Sequence, residues 1–130
     1  GQRCRTVGAA MTDNSNPGSK PASHPIDDLY QAVLLQRGDN KDASRTAKLF
    51  SDGRIKIAKK LVEEAAEVSL ECVANNRDEV VHESVDMLYN WIVLLTEMGI
   101  QPAEIWHEMA RREQAFGIAG KLPKNGAATD

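Results

Sequence analysis

The sequence predicts an all-α protein, a helical bundle of four to five helices. Three observations carry that prediction. Apolar residues recur at helical spacing through most of residues 26–116, and no strand-like alternation survives. Turn and capping signals separate those runs, at Asp52-Gly53, Asn75-Asn76 and Gly99. The length of 130 residues, with 42% apolar and 27% charged, suits one core rather than two.

Taken in order, Pro25 precedes a first helix over about Asp27 to Arg37, with Leu29, Tyr30, Val33 and Leu34 as its apolar pairs. A linker follows from Gly38 to Asp42, then a short helical turn over Ser44 to Phe50. A long helix is expected from Arg54 to Ala74. Asn75-Asn76 breaks it, and Asp78 is placed to cap the next helix, which continues to Met98. Gly99 is expected as its left-handed C-cap. Pro102 suits the first turn of a last helix ending near Ala115, with Gly117 beyond it.

The flanks read differently. Residues 1–25 are rich in Gly, Pro and Ser and are expected to be a disordered tail; 117–130 are expected to pack loosely. The domain is therefore placed at 26–116. Met11 is a candidate native start, and the tail lacks the basic and apolar regions of a secretory signal.

Composition excludes several functions. The net charge is −3, from 16 basic and 19 acidic residues, and aromatics make up 5%, so a nucleic-acid partner is not expected. No apolar run is long enough to span a membrane. Cys4 and Cys72 cannot make a disulfide framework, and a cytoplasmic location is expected.

The charge order is more informative. Residues 41–60 carry seven basic and two acidic residues, and residues 63–86 carry eight acidic and one basic. On the 54–74 helix, Ile57, Leu61, Ala65, Val68 and Cys72 share one arc, with Cys72 read as packing. Glu64, Glu67 and Glu71 line the margin of that arc, at about 20°, 80° and 40° from its edge. The following helix is apolar almost all round from Val85 to Leu95, the pattern of a central buried helix. Glu83, Asp86 and Asn90 nevertheless share one stripe on it. A carboxylate among apolar neighbours must neutralise or meet a cation.

Two carboxylate pairs at i, i+3 spacing, Glu64/Glu67 and Glu83/Asp86, thus stand on helices joined by a short turn. Such helices should be antiparallel neighbours, and the four side chains can converge. All-oxygen ligation suits Mg²⁺, or Mn²⁺, bound together with a phosphate substrate. Salt bridges from Lys56, Lys59 or Lys60 are the structural alternative for the first pair. Tyr89 and Trp91 read as core. His24, His82 and His107 are scattered and suggest no catalytic pairing.

Glu64-x-x-Glu67, fifteen residues, then Glu83-x-x-Asp86 resembles the metal motif of the all-α nucleoside triphosphate pyrophosphohydrolases. Within that group the chain is most similar to the phosphoribosyl-ATP pyrophosphohydrolases of histidine biosynthesis, over about Leu29 to Pro123. The segments 44–49, 59–68, 83–90, 111–113 and 117–119 carry the likeness. Two positions depart from the family pattern: Val62 stands where glycine is expected, and Asn90 where histidine is frequent.

The resemblance implies Mg²⁺-dependent hydrolysis of phosphoribosyl-ATP to phosphoribosyl-AMP and pyrophosphate. Glu64, Glu67, Glu83 and Asp86 would hold the metal. Arg45, Lys48, Lys56, Lys59 and Lys60 would neutralise the substrate phosphates, and the general base is Glu63 or Glu67. It also implies an obligate homodimer or higher assembly, with the site between helices near a subunit boundary. Two alternatives stay open. One is a house-cleaning pyrophosphatase acting on other nucleoside triphosphates. The other is a non-catalytic helical dimerisation module whose interface is marked by Trp91, Met98, Trp106 and Phe116.

Overall fold

A computed structural model describes residues 23–116. The expected C-terminal tail, Gly117 as a helix stop, and most of the expected N-terminal tail lie outside the described residues. Five α-helices make up the described chain: α1 (Pro25–Gln36), α2 (Arg45–Asp52), α3 (Arg54–Val73), α4 (Arg77–Met98) and α5 (Pro102–Phe116). The all-helical expectation holds, with no strand among the described residues.

Local chemistry sets the helix ends. The Ile26 N–H donates to His24 Nδ1 at 3.0 Å, and Pro25 occupies the first turn, where its missing N–H costs nothing. Helix α1 therefore starts two residues before the expected Asp27. Ser44 caps α2 by accepting from the Ala47 N–H at 2.9 Å. Gly53, at φ +100°, makes the sharp break between α2 and α3. Helix α4 begins at Arg77 with Asn76 in the cap position, so Asp78 lies inside the first turn. There its charge favours the helix dipole instead of capping. Gly99 is left-handed, at φ +71°, as expected.

Helices α3 and α4 pack along each other as an antiparallel hairpin, the most extensive helix pairing in the fold. Helices α1 and α2 cover one end of that hairpin. The core gathers there: Tyr30 and Val33 of α1, Leu49 of α2, Ile57 of α3, and Ile92, Val93 and Leu95 of α4. Polar ties reinforce it. Arg37 Nη1 donates to the Thr96 carbonyl at 2.9 Å, and the Thr46 and Tyr89 hydroxyls are 2.6 Å apart. Arg54 meets Glu97 at 3.3 Å across the open end of the hairpin. Helix α5 leans on α1, with Trp91 and Trp106 tilted at 6.4 Å between ring centroids.

The other end of the hairpin is poorly covered, and two expectations are corrected there. Helix α4 is fully buried only at positions within Asn90–Thr96; Val85 is 62% exposed. Cys72 is exposed, not packed in the core. At the covered end, Leu34 of α1 is 40% exposed, because Tyr30 and Val33 take the core face. The cause is shared: helical periodicity identifies an apolar face but not what covers it.

Ile92, at 0% exposure, is enclosed by this core. Ile92→Ala is expected to cost about 2–5 kcal/mol in urea unfolding. Ile55→Ala, at a position 88% exposed, is expected to stay within about 0.5 kcal/mol.

Candidate metal centre

Helical geometry positions the acidic residues. Glu64 and Glu67 are one turn apart on α3, Glu83 and Asp86 one turn apart on α4, and the antiparallel hairpin sets the pairs side by side. One oxygen each from Glu64, Glu67 and Glu83 lie within 4.8 Å of one another. A second group shares Glu83: His82 nitrogen and single oxygens of Glu83 and Asp86 also lie within 4.8 Å. Glu83 is thus shared by both groups: Glu64 and Glu67 meet it in one, and Asp86 in the other.

The electrostatics of Glu83 record that crowding. Its pKa is raised above the ordinary carboxylate value, first by desolvation and then by the charges of Glu67 and Asp86. Glu64 adds to the rise, and His82 opposes it. Like-charged carboxylates held this close call for a cation. Two oxygens on one Mg²⁺ stand at most about 4.2 Å apart, so sub-ångström adjustments would close this set on an ion. An all-oxygen donor set fits Mg²⁺ or Mn²⁺.

The remaining predicted residues divide. Glu63 lies outside the cluster on the solvent side, 3.9 Å from both Lys59 and Lys60. Lys60 also reaches Glu64 at 3.5 Å, so one of the salt bridges weighed as an alternative does form, at the edge of the centre. Glu71 is drawn away to the turn, where its Oε1 accepts from Asn76 Nδ2 at 2.8 Å.

Arg45, Lys48, Lys56 and Lys60 line a cavity of about 290 Å³ between α2, α3 and α4, together with Asp52, Tyr89 and Asn90. Lys59 is not among its lining residues; it pairs with Glu63 instead. Tyr89, read as core, does pack half-buried against the core, and it also lines this cavity, with the Arg45 guanidinium 5.9 Å from the ring centroid. The cavity adjoins the acidic cluster directly. On α3, Lys56 and Lys60 precede Glu64 by two turns and one turn; on α4, Asn90 follows Asp86 by one turn, and its Nδ2 donates to the Asp86 carbonyl at 2.9 Å.

His82 escaped the sequence reading. Its signal was the i, i+4 spacing to Asp86, which puts both on one face of α4. The role of Asn90 as a cavity wall had no such signal, because α2 supplies the facing side.

Comparison with known proteins identifies the family. The family model described as "Phosphoribosyl-ATP pyrophosphohydrolase" matches residues 27–113. A protein of Rhodopseudomonas palustris named phosphoribosyl-ATP pyrophosphatase 2 is 52% identical over 100 residues, 77% of this chain and 76% of that protein. A namesake in Bradyrhizobium diazoefficiens is 50% identical over 103 residues, 79% of this chain and 77% of its own. The phosphoribosyl-ATP pyrophosphatase of Rhodospirillum rubrum is 41% identical over 115 residues, covering 88% of this chain and 98% of that protein. With the family match spanning the carboxylate cluster and the basic cavity alike, this chain belongs to the phosphoribosyl-ATP pyrophosphohydrolase family.

Proposed function

We propose that this chain hydrolyses the α–β phosphoanhydride of phosphoribosyl-ATP, as a step of histidine biosynthesis, with Mg²⁺ held by Glu64, Glu67, Glu83 and Asp86. The convergence of those carboxylates beside a cationic cavity, in a member of this family, carries the reading. In the reaction, a water oxygen bonds to phosphorus, the bridging P–O bond breaks, and pyrophosphate leaves with its electron pair. Bound at the cluster, Mg²⁺ or Mn²⁺ would polarise the phosphoryl oxygens and lower the pKa of the attacking water.

The chain's own groups supply the rest. Arg45, Lys48, Lys56 and Lys60 neutralise substrate phosphates next to the centre, where preorganised charge is most effective. Lys59 sits farther out and contributes field rather than contact. Glu67, which stands inside the acidic cluster, is the choice of base for the water proton. Glu63 is the weaker choice of base, since Lys59 and Lys60 hold it on the solvent side. The exposed Cys72 thiol suits the reducing cytoplasm in which this step would run.

The same reading includes self-association. Val62, Leu70 and Val73 on α3, and Val81 and Val85 on α4, are large apolar side chains left exposed along the hairpin. Exposed apolar side chains in this number suit an interaction surface. A second copy of the chain is its occupant in this reading: it would cover the half of the hairpin that α1 and α2 leave open, and set the acidic centre beside a subunit boundary.

Three measurements test these statements. Pyrophosphate release from phosphoribosyl-ATP should require Mg²⁺ and exceed release from a panel of ordinary nucleoside triphosphates; equal rates across the panel would overturn the substrate. Asp86→Asn and Glu64→Gln should each lower turnover at least about a hundredfold, a loss that even outer-shell partners of a metal can cause. In thermal unfolding, Mg²⁺ should raise the melting temperature of the native chain. Glu83→Gln removes one crowded charge, so it should leave the metal-free melting temperature equal or higher and abolish the Mg²⁺ response. In sedimentation, the native chain should be dimeric or larger, and Leu70→Glu with Val81→Glu should shift it toward monomer.

A further inference from the structure

One buried polar contact beside the basic cavity has no part in the hydrolysis scheme. Thr46 on α2 is 6% exposed, and its hydroxyl lies 2.6 Å from the Tyr89 hydroxyl on α4, one donating to the other. The helix end does not need this hydroxyl, because Ser44 already caps α2 by accepting from the Ala47 N–H. Packing does not need it either. Valine and phenylalanine would fill the same places, and replacing both partners of a hydrogen bond by apolar groups of the same shape is close to neutral. What the hydroxyl pair adds is direction: a hydrogen bond at the phenolic oxygen fixes a ring that otherwise turns about its side-chain torsions.

That ring borders the cavity, and Arg45, the residue next to Thr46, stands over it. The guanidinium carbon is 5.9 Å from the ring centroid, within the reach of the attraction between a cation and an aromatic face. Arg45 is exposed and makes no ion pair among the described residues, so the ring is the neighbour that orients it. Lys48 and Lys60 are placed differently, by pairing with Asp52 and with Glu63 and Glu64. A long cationic side chain loses rotamer freedom when it grips an anion, and one already resting on a fixed ring loses less.

We infer that Thr46 is a positioning residue for the polyphosphate. Through Tyr89 it holds the ring against which Arg45 rests, and so keeps that guanidinium turned toward an anion in the cavity. Thr46 need not touch the substrate to do this. The inference rests on the proposed function for the identity of the anion. The competing role is a staple. The same hydrogen bond would then only tie α2 to α4, and its loss would displace every α2 side chain, Lys48 together with Arg45. The two roles differ in whether the effect of Thr46 passes through Arg45 alone.

The test is calorimetric titration of the full chain with inorganic pyrophosphate in EDTA, paired with steady-state turnover of phosphoribosyl-ATP. Thr46→Val should weaken pyrophosphate binding about twofold to fivefold, the range of an exposed cation–π contact. Tyr89→Phe, which keeps the ring and removes only the hydroxyl, should match it, and Thr46→Ser should retain native affinity. The effect of Thr46→Val should vanish in an Arg45→Gln background and persist in a Lys56→Gln background. In turnover, Thr46→Val should raise KM by a similar factor with kcat little changed, the mark of binding lost equally from ground and transition states. Tyr89→Phe keeps the test decisive if Thr46→Val does not fold. A loss of the same size with and without Arg45 identifies the staple and overturns the proposal. Native affinity in both Thr46→Val and Tyr89→Phe overturns it too, as does a native chain that binds no pyrophosphate. Because these titrations contain no metal, the two readings fail separately. Absent turnover with the Arg45-dependent loss intact counts against hydrolysis; turnover intact without that dependence counts against positioning.

Discussion

Repulsion among carboxylates at the α3–α4 seam is the constraint around which the rest of this protein is arranged. Glu83 lies within reach of Glu64 and Glu67 across the seam and of Asp86 along its own helix, and its pKa is raised by all three. Chains do not usually crowd three carboxylates around a fourth, because each charge raises the cost of ionising the next. The antiparallel hairpin imposes that crowding: two helices packed along their length cannot separate the pairs without giving up the burial of Ile57 and Ile92. The stability of the core is thereby spent on holding a site that a divalent cation would neutralise.

The hairpin is also electrically polarised along its length. Basic side chains cluster where α2 meets α3, and acidic ones follow within two turns. Lys60 stands at the junction, lining the cavity and pairing with Glu64. A polyphosphate bound across this junction would meet cations from side chains at one end and a carboxylate-held metal at the other. Such a field favours substrates whose negative charge is spread over several groups.

Coverage of the hairpin is one-sided for a simple reason. Helices α1 and α2 are short, at 12 and 8 residues, and the hairpin helices run to 20 and 22. At 1.5 Å per residue the shorter pair cannot shield the longer one along its whole length. The end near Asn75 is left with valines and a leucine facing outward. The catalytic reading and the self-association reading therefore share one piece of structure, since the acidic centre lies at the border between the covered and uncovered halves.

Much of this was legible in the residues themselves. Helix ends followed from local chemistry at Pro25, Ser44, Gly53 and Gly99, because caps and turns depend on neighbours within four positions. The carboxylate pairs were legible too, because i, i+3 spacing and a two-residue turn are enough to set them side by side. Depth was not. Cys72 and Val85 lie on apolar stripes yet face outward, and Tyr89 packs against the core yet also lines a cavity. Periodicity tells which residues share a face; only the packing of α1 and α2, distant in sequence, decides which faces are covered. The sequence by itself determined the helices, the family and the residues of the acidic cluster. The tertiary structure alone decided that Glu63 stands aside, that His82 joins Glu83 and Asp86, and that Asn90 closes a basic cavity, because each depends on side chains brought together from separate helices.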